Sequence, residues 1–186
     1  MIQGTPMSQA EIASGRITPQ DELPAKGRRL HDFELTFADG RSFHSYEQRA
    51  RSNLVLVLAD DQRATTELLS EMAARHEEFT NEEAEIIAIG QLPREECTRL
   101  RERQRLPFLV LADENGRVHH DFGASDPQGY ANAAVYVTDR YGEVFGAYRT
   151  RDGQTLPIPY GPGSKLHASG GVGRQRHGGV QLWSAN

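Results

Sequence analysis

A chain of 186 residues suits one globular domain with a buried core, plus tails. Its formal net charge of −5 and pI near 5.8 leave no basic face for a nucleic acid. Cys97 is the only cysteine, which excludes an intrachain disulfide and fits a reduced, cytoplasmic setting.

No apolar run is long enough to span a bilayer. Residues 1–10 show neither the basic nor the apolar part of a signal peptide, so no membrane role is expected. Residues 1–29 are polar and punctuated by Gly15, Pro19, Pro24 and Gly27, which predicts an arm. Phe33-Glu34-Leu35-Thr36-Phe37 alternates apolar and polar side chains, Ala38-Asp39-Gly40 supplies a turn, and residues 41–44 return. An N-terminal β-hairpin is predicted there. Residues 45–51 follow as a short helix with Ser45 as its cap.

Residues 54–58 are wholly aliphatic, the pattern of a central strand covered on both faces. Over residues 64–79 the apolar side chains recur at three- and four-residue spacing, from Leu68 and Leu69 through Met72 to Phe79, and predict one amphipathic helix. Asp60 and Asp61 stand ahead of it as caps. Residues 84–90 form the next buried strand. Pro93 opens a second helix, with Cys97, Leu100 and Gln104 inward, which ends before Leu106-Pro107. Residues 108–111 read as a short strand, 112–116 as a turn and 118–122 as a helical turn. Residues 134–138 and 143–149 flank a turn as a closing hairpin. Beyond Arg151, Pro157, Pro159, Pro162 and the glycines predict an irregular tail. The organisation is thus an arm (1–29), a domain (30–150) and a tail (151–186). Right-handed crossovers fold the β-α-β-α-β centre into an α/β unit with a mixed sheet.

Few residues suggest chemistry. The arginines at 94, 99, 101, 103 and 105 lie among Glu95, Glu96 and Glu102, which reads as a solvated helix with ion pairs. His119-His120-Asp121 could begin a metal site only with ligands from elsewhere, such as His31, His44 or His76; no spacing motif links them, and surface histidines are the expectation. No metal or other cofactor is implied. The glycine-rich tail lacks the strand and helix that a phosphate loop needs. Cys97 reads as a small apolar packing residue. Nearby carboxylates raise a thiol pKa, and the start of its helix lowers it.

Residues 30–149 resemble the peroxiredoxins of the alkyl hydroperoxide reductase and thiol-specific antioxidant group. Asp32-Phe33-Glu34-Leu35 with Asp39-Gly40 is similar to that family's opening strand and turn. Thr65-Thr66-Glu67-Leu68 resembles the residues that follow its peroxidatic cysteine. Leu106-Pro107-Phe108 with Leu111, Asp113 and Gly116 is similar to its Leu-Pro-Phe segment, and Val137-Thr138-Asp139 with Gly142 and Val144 to its late hairpin. The resemblance implies a thioredoxin-like three-layer sandwich, with a mixed central sheet flanked by helices and preceded by the β-hairpin.

It also implies where the chemistry would sit, and there the chain departs. The resemblance puts Ala64 at the peroxidatic cysteine and Ala133 near the late arginine. The loop before Ala64 is about three residues short, so the family's proline and threonine have no counterparts. Gln62, Arg63, Ala64 and Thr65 offer no Cys-x-x-Cys, and no proline precedes Ala134. Peroxide reduction needs a thiolate. The Thr65 hydroxyl has a far higher pKa and no adjacent base. The expected function is therefore a binding or regulatory module without peroxidase activity. The alternative is a thiol-dependent oxidoreductase acting through Cys97 and a partner's thiol. The tail promises no closing helix, since Pro157 and Pro159 forbid one. The sheet face beside residues 134–138 then needs cover. Residues 8–23, an extended Leu156, Ile158 and Tyr160, or a second copy in a homodimer are the three solutions, and the homodimer is the one expected. An unidentified protein partner is a further expectation.

Overall fold

The computed structural model describes residues 26–37, 39–149, 156, 158 and 159. In chain order its elements are β1 (Glu34–Thr36), β2 (Ser42–His44), a 3-10 turn (Ser45–Gln48), β3 (Asn53–Ala59), α1 (Arg63–Ala74), α2 (His76–Asn81), β4 (Ala84–Gly90), α3 (Arg94–Gln104), β5 (Leu109–Ala112), α4 (Arg117–Asp121), β6 (Ala134–Thr138) and β7 (Val144–Arg149).

Five strands form the main sheet in the order β5-β4-β3-β6-β7. The aliphatic β3 is central. It runs parallel to β4, with Val57 opposite Ala88, and antiparallel to β6, with Val57 opposite Val135. Val55, Leu56, Val57 and Leu58 are fully buried, because alternate side chains serve two separate cores. On one face Val55 and Val57 meet Leu68, Leu69 and Met72 of α1, Phe79 of α2 and Leu100 of α3. On the other, Leu56 and Leu58 meet Leu35 and Phe43 of the β1–β2 hairpin and Val118 of α4. The result is the expected three-layer sandwich. Helices α1 to α3 lie on one face because successive right-handed crossovers all step toward β5. The hairpin turn closes as the Asp-Gly signal predicts: Gly40 sits at φ +86°, and the Phe37 N–H donates to the Arg41 carbonyl at 2.8 Å.

The structure corrects several local expectations. The helix predicted over 64–79 is two helices, which part at Arg75, where φ is −107° and ψ 15°. The Arg75 side chain folds onto Glu78 at 2.6 Å across the break. Gln62, not an aspartate, occupies the N-cap of α1, without a side-chain capping bond. Ser45 does not cap its turn. Its hydroxyl accepts the Phe33 N–H at 2.9 Å and ties the hairpin's entry down instead.

Ahead of residue 30, the Gly27 N–H donates to the Val144 carbonyl and Arg29 forms a β-bridge with Glu143. Leu156 is buried in the core that holds Val135 and Val137, and Ile158 packs against it. These two residues give intrachain cover on the face that the sequence left bare. Tyr160, residues 8–23 and the rest of the arm and tail lie outside the described residues.

Candidate functional site

Parallel β3, β4 and β5 all end at one edge of the sheet, which is where α/β folds gather ligands. There β3 gives way to a tight polar turn and then α1. The Asp60 carboxylate organises the turn. One of its oxygens accepts the Gln62 N–H at 3.1 Å and also the Thr65 hydroxyl. Thr65 is buried, and Ala64, the second residue of α1, is half-buried. Ala134 pairs with Leu58 at the end of β3, which brings the fully buried Ala133 to the same edge as Ala64 and Thr65. Ala64, Thr65 and Ala133 thus share one edge of the sheet. The turn and the first turn of α1 contain no cysteine.

A second polar group lies beneath this turn, and sequence reasoning missed it. His119 is fully buried and Asp113 is 2% exposed. The imidazole Nδ1 lies 2.8 Å from the Asp113 Oδ2, which also accepts the His119 backbone N–H at 2.9 Å. The other ring nitrogen, Nε2, faces the Ala59 carbonyl at 3.3 Å. Both ring nitrogens therefore face oxygen atoms of the protein. Burial pushes the Asp113 carboxyl up. The hydrogen bonds from the His119 ring and backbone outweigh it and hold the carboxyl below its ordinary 3.8. The dyad anchors the last residue of β3, from which the candidate turn springs. Of the adjacent histidines only His120 is at the surface, so the expectation of two surface histidines is corrected. The signal was available: Phe122 follows His119 by three residues and puts it on the apolar side of α4.

Cys97 stands apart from the turn, on α3. It is 2% exposed, and its Sγ lies 3.5 Å from the Leu111 carbonyl. Burial pushes its thiol up to about 11. A backbone hydrogen bond from Gly90 opposes the rise, and Glu114 and Glu96 add to it. A thiol in that state is protonated at neutral pH and a poor nucleophile. The charged face of α3 is only partly paired: Arg99 meets Glu96, and Arg94 lies 3.8 Å from Glu114. Among the described residues no three histidine, cysteine or carboxylate side chains gather as metal ligands. None of the helices described is long and apolar enough to cross a membrane.

The sheet order, the crossovers and the leading hairpin define a thioredoxin-like fold of the peroxiredoxin type. Residues 26–146 match the AhpC/TSA family, and the chain belongs to that family. The solved structures that it resembles agree. Peroxidoxin BcpB from Mycobacterium tuberculosis superposes with a TM-score of 0.61 at 21% identity, over 66% of this chain and 84% of that one. Mycobacterium tuberculosis AhpC gives a TM-score of 0.62 at 15% identity, over 73% and 92%. Thiol peroxidase from Chromobacterium violaceum gives 0.59 at 19%, over 69% and 78%. At such identities the likeness concerns the fold. Comparison with curated proteins gave no match.

Proposed function

We propose that this AhpC/TSA-family protein has lost the peroxidatic cysteine and works as a binding or regulatory module rather than as a peroxidase. The observation that carries this reading is the residue set at the head of α1. Where the family resemblance puts a thiolate there is Ala64, beside a buried threonine tied to Asp60. Ala133 supplies no guanidinium to steady an anion. A carboxylate at the turn opposes the negative charge that peroxide cleavage develops. Neither ring nitrogen of His119 is directed at the turn's side chains, since Asp113 and Ala59 engage both. The protonated, buried Cys97 gives no support to the alternative of a thiol relay.

The test uses an alkyl hydroperoxide, because a study of the Xanthomonas campestris bacterioferritin comigratory protein assigns alkyl peroxide reduction to that relative. That protein resembles this chain with a TM-score of 0.56 at 16% identity, over 63% of this chain and 80% of that one. One equivalent of cumene hydroperoxide is mixed with the full chain, and intact mass and free thiol are read. The reading expects an unmodified chain with its single thiol intact. Gain of one oxygen at Cys97 within seconds would contradict it. A cytoplasmic setting, which keeps that thiol reduced, and a homodimer or protein partner belong to the same proposal.

A further inference from the structure

Away from the β3–α1 turn, a cleft of about 360 Å³ opens along the outer edge of β5, between α3 and the end of β1. It lies in the size range of ligand sites. Its three kinds of wall are unlike one another. The first is cationic: Arg94, Arg101 and Arg105 line it against a single acid, Glu102. Arg94 and Arg101, seven residues apart, lie on one side of α3, and Arg105 ends the helix in the left-handed conformation at φ 52°. Arg94 is partly neutralised by Glu114, but Arg101 and Arg105 have no ion pair among the described residues. The second wall is apolar, made by Phe37, Leu106 and Leu109. The third is backbone. Strand β5 pairs only with β4, and the Asp113 N–H that follows it donates to Gly90 on that side at 2.9 Å. Alternation along the strand turns the peptide groups of Val110 and Ala112 outward, into the cleft.

We propose that this cleft binds a small organic anion. Its carboxylate or phosphate head pairs with Arg101 and Arg105, and its short apolar body lies along Leu106 and Leu109. Guanidinium groups in that number hold such heads through forked, charge-assisted hydrogen bonds. Two like charges lining one cleft repel, and an anion between them relieves the repulsion. The occupant is a small molecule rather than an added strand. Thr36 and Phe37 bound the cleft on the hairpin side, and β5 is only four residues long with two outward peptide groups. None of its lining residues belongs to the β3–α1 turn, and the site does not depend on the loss of peroxide chemistry.

The full chain, at low salt, is titrated with hexanoate and with hexyl phosphate, and amide chemical shifts are followed by NMR. Shifts centred on Thr98, Leu109 and Val110 are expected, with Kd at or below about 1 mM for one head or both, and the tighter one names the head group. Acetate and inorganic phosphate, which lack the apolar body, should bind about tenfold more weakly. The double variant R101Q/R105Q should lose at least about tenfold, and R101K/R105K less. R117Q, which removes an exposed arginine on α4, should bind as the wild type does. All three variants change exposed arginines, and the same spectra report their folding. The proposal is overturned if no shifts appear at those amides, if R101Q/R105Q binds as well as the wild type, or if R117Q weakens binding equally. It is also overturned if inorganic phosphate alone binds as tightly as the hexyl compounds.

Discussion

Asp113 and His119 form a hydrogen-bonded pair hidden from water at the root of the candidate turn. Removing either partner leaves the other buried and unmatched. D113N or H119A should therefore lower unfolding free energy by about 3 kcal/mol, read from urea midpoints. The acid dependence has a definite sign. Folding depresses the Asp113 carboxyl below 3.8, so its contribution is full above that pH and is lost as pH falls through the folded-state value. The stability gap between wild type and D113N should narrow below pH 3.8. Cys97 carries the opposite sign. Folding raises its thiol from 9.0 to about 11, so stability contributed by the neutral thiol is intact below 9 and declines as pH climbs through that window. Relative to C97A, the wild type should weaken over that interval. Iodoacetamide should label the native chain far more slowly than the chain in urea, since burial denies it both access and the thiolate.

At the scale of elements, the strands that place the site were legible because their side chains are unambiguous. Leu54 to Leu58 and Ile86 to Ile89 have no polar face, so only a doubly covered sheet satisfies them. The hairpin was legible through Asp39-Gly40, and the closing hairpin through the turn that residues 134–138 and 143–149 flank. The break at Arg75 was not legible, because neither glycine nor proline marks it. The spacing of His119 from Phe122 marked the buried side of α4, but its partner Asp113 is polar, and only their contact across the turn before α4 explains its burial. The turn side of that contact offers a test. Gly116 sits at φ +64°, and a Cβ there would meet the Gln91 amide at 2.5 Å. Gln91 in turn donates to Gly129 at 3.2 Å. Gly116→Ala should lower stability by about 1–2 kcal/mol through the left-handed strain, and should shift the Gly129 amide environment in NMR spectra. Tyr136 links β6 to the end of α4 through its hydroxyl on the Phe122 carbonyl. Y136F should destabilise by about 1 kcal/mol, the worth of one buried hydrogen bond.

Across the whole molecule, the family's scaffold is kept, and the proposed function holds that the residues its chemistry needs are replaced. The sheet order, both cores and the leading hairpin follow the peroxiredoxin plan. Leu156 and Ile158 cover part of the face that pointed toward a homodimer. Sedimentation at micromolar concentration reads whether a second copy covers the remainder. The fold alone does not supply activity, because a thioredoxin-like turn accelerates peroxide cleavage only through a thiolate with positive groups around it. Ala64→Cys should therefore restore little: the new thiol would stand beside Asp60, without an arginine at position 133. The most direct measurement of the central claim is steady-state hydroperoxide consumption by the wild-type chain, with dithiothreitol or thioredoxin as reductant. The proposed loss of the peroxidatic thiolate predicts a rate no greater than that of free cysteine at the same concentration. Turnover of about 1 per second or more, the range of ordinary enzymes, would contradict it.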